Sequence, residues 1–193
     1  MKTEIIHEYF RILGDSLSRT EVTDREGRPV PLSRAVEAAV AKIKAMEDKS
    51  NKVIFIGNGG SAGISSHMAI DYQKNGGIPT MAFNDGAALT CLSNDLGYDQ
   101  VFAKQIDMHG RKGDLLMAIS SSGRSANILN AVMIARSGGC GICTFSGFKP
   151  DNPLRTMGDF NFYVPSSEYG FVEIAHLTLC HAILDFKMDW RGA

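Results

Sequence analysis

The stretch VIFIGNGGSAGISSHMAID, residues 53–71, decides the fold. Val53 to Ile56 is a short unbroken apolar run, as expected of a parallel strand covered on both faces. Gly57-Asn58-Gly59-Gly60-Ser61 follows as a turn, with Ser61 placed to cap a helix over about 62–75. Similar runs recur at 80–83, 115–119, 141–145 and 160–164, with helical patterns near 86–96, 99–109, 125–137 and 169–188. Strand alternating with helix predicts an α/β fold: a three-layer, doubly wound, five-stranded parallel sheet.

Two helices precede this pattern. Residues 1–18 carry Ile5, Ile6, Tyr9, Phe10 and Leu13 on one face, and Pro31 opens a second helix through about Asp48, with Val36, Ala39, Val40, Ile43 and Met46 inside. Between them TEVTDREGRP reads as a loop. Two extra helices exceed what the core needs, so residues 1–50 read as oligomerisation helices and 51–193 as the core of one domain.

Composition narrows the class. With 193 residues and a net charge of −1, no global field draws in nucleic acid or an anionic membrane. No apolar run approaches a membrane helix, and the charged amphipathic start is not a signal peptide, so a cytoplasmic location is expected. Cys140 and Cys143 have CxxC spacing, but they lie in an apolar strand pattern and read as packed thiols.

Ligands of open parallel sheets bind at the carboxyl ends of the strands. The loop 57–61 departs from the dinucleotide GxGxxG, with Gly63 one residue late and only Asp85 as a weak acidic partner. The loop Ser120-Ser121-Ser122-Gly123-Arg124-Ser125 is more telling. Four hydroxyls gather before a helix, where the dipole favours an anion such as a phosphate monoester. His67 and Asp71 share a helix face at i, i+4, and Glu173 and His181 share one on the last helix; His176 points elsewhere. The two pairs meet either as general acid and base or as ligands of a divalent metal.

GNGGS after the first strand, the serine loop and the acid–His pair on the last helix resemble the SIS (sugar isomerase) domain family. FIGNGGSAGISSHMAID, SNDLGYDQVFAKQI, AISSSGRSANIL and VEIAHLTLCHAILD are similar to its phosphoheptose isomerase branch, from about residue 35 to 190. The resemblance implies a homotetramer that converts sedoheptulose 7-phosphate to D-glycero-D-manno-heptose 7-phosphate through an enediol, towards lipopolysaccharide or capsule heptose. It implies Asp71 as base and His181 as its acid/base complement. It implies Ser120, Ser121, Ser122 and Ser125 on the phosphate, with Asn58, Gly59, Ser61, Asn94, Asp95 and Glu173 also binding substrate. It further implies a divalent metal, zinc in some members, on His67, Asp71, Glu173 and His181.

Three residues depart from the family pattern. Asp71 stands for the usual glutamate, Glu173 for a glutamine, and Lys74 near an expected arginine. The extra charge of Glu173 favours a bound divalent cation. These departures keep open an isomerase of another phosphosugar, and a non-catalytic regulator that binds a replication initiator.

Overall fold

The centre of the fold is a pair of parallel strands, β2 (Val53–Gly57) and β4 (Leu115–Ser120), with Val53 opposite Leu115 and Gly57 opposite Ile119. The computed structural model describes residues 3–46 and 50–192. Before β2 come α1 (Thr3–Ser18), β1 (Glu21–Asp24) and α2 (Leu32–Lys44). Between β2 and β4 lie α3 (Gly60–Lys74), β3 (Thr80–Ala82), α4 (Gly86–Leu96) and α5 (Val101–His109). After β4 follow α6 (Ala126–Ser137), β5 (Gly141–Ser146), β6 (Phe160–Tyr163) and α7 (Tyr169–Lys187).

The sheet order is β1-β6-β5-β4-β2-β3. The five expected parallel strands are all present, and β1 adds a sixth, pairing antiparallel with β6 through Val22 opposite Phe162. The loop reading of 20–29 is therefore corrected at its start. β1 contributes only Val22 to the core and leaves charged residues outward, as edge strands do, so it has no apolar run to betray it. The helix expected to run to about Asp48 spans Leu32–Lys44, and its expected end lies outside the described residues.

Alternation along each central strand builds two cores. Val53, Phe55, Leu115, Met117 and Ile119 face a layer formed by α2, α3 and α7. Ile54, Ile56, Leu116 and Ala118 face α5 and α6. Cys140 and Cys143 fall into opposite cores, which keeps their thiols apart; burial raises both, Cys143 to about 12. They are packed, as expected.

At the amino ends of β2 and β4, Asp114 is buried and accepts from Lys52 Nζ (2.7 Å), Asn51 Nδ2 (3.0 Å) and the backbone N–H groups of Lys52 and Arg111. Burial by itself would raise this carboxyl, but the donors hold it below its ordinary value. The cluster locks the two strands in register and so fixes the loops that leave their other ends.

After β2 the chain steps outward to β3, then returns across β2 to β4 and continues to β5 and β6. The order reverses between β2 and β4, and a crevice opens at such a switch point. The loops leaving it are 57–61 and 120–125. No described helix is long and apolar enough to cross a membrane.

Candidate active site

A cavity of about 240 Å³ occupies that crevice, lined by Asn58 to Ser61, Ile119 to Ser122, Ser125, Tyr169 and Glu173. Three helices begin at it: α3 just after Gly59, α6 just after Ser125 and α7 at Tyr169. Helix amino ends carry partial positive charge and unpaired N–H groups, so three of them converging favour an anion. Ser125 is the N-cap residue of α6, yet its hydroxyl makes no cap bond and instead lies 3.3 Å from Ser120 Oγ. Both residues line the cavity, so this hydroxyl pair lies at its wall rather than on the helix backbone. Ser61 is likewise not the cap expected of it: Gly59 holds that position, and Ser61 is buried in the first turn of α3.

Asn58 lines the cavity, but its carboxamide is largely engaged. It exchanges two 2.9 Å bonds with Asn127 and accepts a third from Tyr98 OH at 2.9 Å. One amide hydrogen is left for a ligand. Asn127, buried in the first turn of α6, therefore ties the two loops together, and the sequence reading did not single it out. A polar residue on the inward face of ANILNAVMIA was the available signal. Tyr98 and the cavity-lining Tyr169 offered none.

Two expected ligand residues lie elsewhere. Asn94 and Asp95 sit on α4, whose residues are none of them buried, and bond to each other at 2.9 Å outside the cavity. The short α4 was legible, but not that Asn94 and Asp95 stay out of the cavity lining.

The His67–Asp71 pair meets His181, one member of the second pair. α3 and α7 pack side by side, bringing Gly60 against Glu173 and His67 against His181. His67 Nε2 and His181 Nε2 are 3.2 Å apart, and Asp71 Oδ2 is 3.4 Å from the first and 3.9 Å from the second. All three ligand atoms fall within 4.8 Å of one another. Ligands about 2.0–2.1 Å from a tetrahedral centre stand roughly 3.3 Å apart, so two imidazole nitrogens and a carboxylate oxygen fit a divalent cation of the zinc type.

Glu173 stands outside this cluster. It lies eight residues before His181, about 12 Å along the helix axis, and its carboxylate covers Gly60 so closely that any Cβ there would overlap it. It forms the one acidic wall of the anion cavity. His176, on the same helix, is fully buried with Nε2 3.0 Å from Ser146 O, away from the cluster as expected. Asp85 caps α4, accepting from Ala88 N–H.

A parallel α/β sheet with an anion cavity at its switch point and an acid–imidazole cluster on the adjoining helix pair defines a sugar-phosphate-binding domain. The SIS domain family model matches residues 9–147, and the chain belongs to that family. It groups there with the phosphoheptose isomerases. It is 34% identical over 189 residues to that of Aliarcobacter butzleri, covering 95% of both chains. It is 34% identical over 157 residues to that of Thermodesulfovibrio yellowstonii, covering 78% of each. The solved phosphoheptose isomerase GmhA from Neisseria gonorrhoeae superposes with a TM-score of 0.81 at 27% identity, over 98% of this chain and 100% of that one.

Proposed function

We propose that this chain is a phosphosugar isomerase that interconverts sedoheptulose 7-phosphate and D-glycero-D-manno-heptose 7-phosphate. The observation that carries the reading is the α3–α7 seam: an anion cavity opens at its amino end, and His67, Asp71 and His181 converge further along it. The cavity takes the phosphate of an open-chain sugar on Ser120, Ser121, Ser122 and Ser125, while Gly59, Ser61 and the spare amide hydrogen of Asn58 contact the chain. Asn94 and Asp95 join the substrate only from another copy or after movement of α4.

Isomerisation needs a proton moved between neighbouring carbons. Asp71 takes a proton from C1 of the ketose as His181 donates one to the C2 carbonyl oxygen, giving the enediol. Asp71 then returns its proton to C2, and His181 recovers the proton of the C1 hydroxyl as the aldehyde forms. As the alternative role of the same cluster, His67, Asp71 and His181 would hold a divalent cation, zinc in this reading, which would supply Lewis-acid stabilisation of the oxyanion. Glu173, whose carboxylate lies over Gly60, is not among the converging ligands. The same reading makes the enzyme a cytoplasmic homotetramer assembled through residues 1–50, serving heptose synthesis for lipopolysaccharide or capsule.

The test is turnover of sedoheptulose 7-phosphate in deuterated water with zinc supplied, followed by NMR. Wild type loses a C1 proton of the ketose and forms the aldose with solvent deuterium at C2; Asp71→Ala and His181→Ala each lose about 100-fold or more in kcat/KM. Absence of turnover of either heptose phosphate with divalent ions present sinks the substrate assignment. A panel of other ketose phosphates then identifies the sugar, an outcome that the acidic wall at Glu173 would explain.

A further inference from the structure

The serine loop is held from beside by the segment 147–154. Gly147 N–H donates to Ser121 O (3.0 Å), and Leu154 N–H to Gly123 O (3.2 Å). Gly123 N–H donates to Ser120 O (2.9 Å), and Arg124 Nη2 meets Asp151 Oδ1 at 3.2 Å. The carbonyls of Ser120, Ser121 and Gly123 are therefore each engaged by a donor. A carbonyl oxygen turned towards a phosphate would repel it, so engaging three of them removes that repulsion from the loop.

Asn152 organises that segment. It is 3% exposed, and its Nδ2 donates to Ser146 Oγ (3.3 Å), Gly147 O (3.2 Å) and Lys149 O (2.9 Å). These bonds fix the orientation of the carboxamide. Its Oδ1 is buried with no partner among the described residues, and it lies against Gly123, where any Cβ would overlap the carboxamide. Gly123 also has φ +62, so glycine is required there twice over. An unpaired buried acceptor is unfavourable, and native structures keep few of them.

We propose that Asn152 is a positioning residue for the phosphate-binding loop: it folds 146–149 onto 152 and props Gly123, setting where the serine donors converge. It does not line the cavity, so it acts through the loop. The inference rests on the reading of the cavity as a phosphate site.

Calorimetric titration of inorganic phosphate into the full chain tests it, alongside isomerase kinetics and thermal melting. Asn152→Ala and Asn152→Ser are expected to weaken phosphate about tenfold and raise KM for the sugar phosphate by the same factor, with kcat held within about twofold. A loss of folded protein would instead lower the active fraction and leave KM alone. Gly123→Ala is expected to behave like Asn152→Ala, and the double variant to fall short of the product of the two effects, because the new Cβ enters vacated space. If Asn152→Ala fails to fold, Asn152→Ser decides. Wild-type phosphate affinity in the folded variants overturns the positioning role alone. A wild-type protein that binds no phosphate overturns the cavity reading, and this role with it.

Discussion

His176 and His181 share one helix, five residues apart, and end in opposite surroundings. His181 meets His67 and Asp71 at the partly exposed seam. His176 is packed beneath Phe145 with Nε2 bonded to Ser146 O, which makes Nε2 the protonated nitrogen, and with Nδ1 buried and unpartnered. Burial pushes its pKa down to about 4, against a smaller upward pull from the Ser146 bond. The unfolded histidine titrates near 6.5, so between the two values the unfolded chain binds the extra proton. The neutral ring's contribution is complete above about pH 6.5 and is lost as pH falls towards 4, roughly 3 kcal/mol in all. Urea midpoints at pH 7 and pH 5 check this: the wild type is expected to weaken across the window and His176→Leu to stay flatter. Equal slopes for the two would remove His176 as the cause. At this scale spacing told much, since i, i+4 placed His67 beside Asp71. It could not tell Glu173 from a cluster member, because a shared helix face does not bring residues two turns apart to one point.

The elements that hold the cavity show where capping rules end. Ser125 has the identity and backbone (φ −67, ψ 116) of an N-cap, but its side chain makes no cap bond. Removing an ordinary serine cap costs about 1 kcal/mol. Ser125→Ala is therefore expected to leave the melting temperature nearly unchanged while weakening phosphate several-fold, as read by thermal melting with and without phosphate. A clear drop in stability with affinity intact would return Ser125 to a capping role. Other elements were legible in proportion to their burial. β2, β4 and β5 are buried throughout and were read almost to the residue, whereas β1, half-exposed and carrying one core residue, was read as a loop. α2, read with α1 as an oligomerisation helix, sends Ala35, Val36, Ala39 and Ile43 into the core and so covers the sheet as well.

At the scale of the molecule, α1 presents an exposed apolar face. Ile5, Tyr9 and Phe10 are 56%, 46% and 60% exposed, although Tyr9 also rests on Phe171 at 4.6 Å between rings. Such a face is a liability in a monomer. Phe10→Asp is expected to shift the sedimenting species to a smaller size without unfolding the α/β core, measured by analytical ultracentrifugation with circular dichroism. A wild-type chain that sediments as a monomer would refute assembly through α1.

The serine loop, GNGGS and the strand–helix alternation were determined by the sequence itself, because local periodicity and turn chemistry act within a few residues. Family resemblance supplied roles for them. Only the tertiary structure set β4 beside β2 rather than beside β3, and that adjacency makes the two loops one cavity. It also laid α7 along α3, so that residues 110 or more positions apart became a single acid–imidazole cluster. Pairing of this kind depends on which buried surfaces fit across the whole chain, and no window of sequence contains both halves.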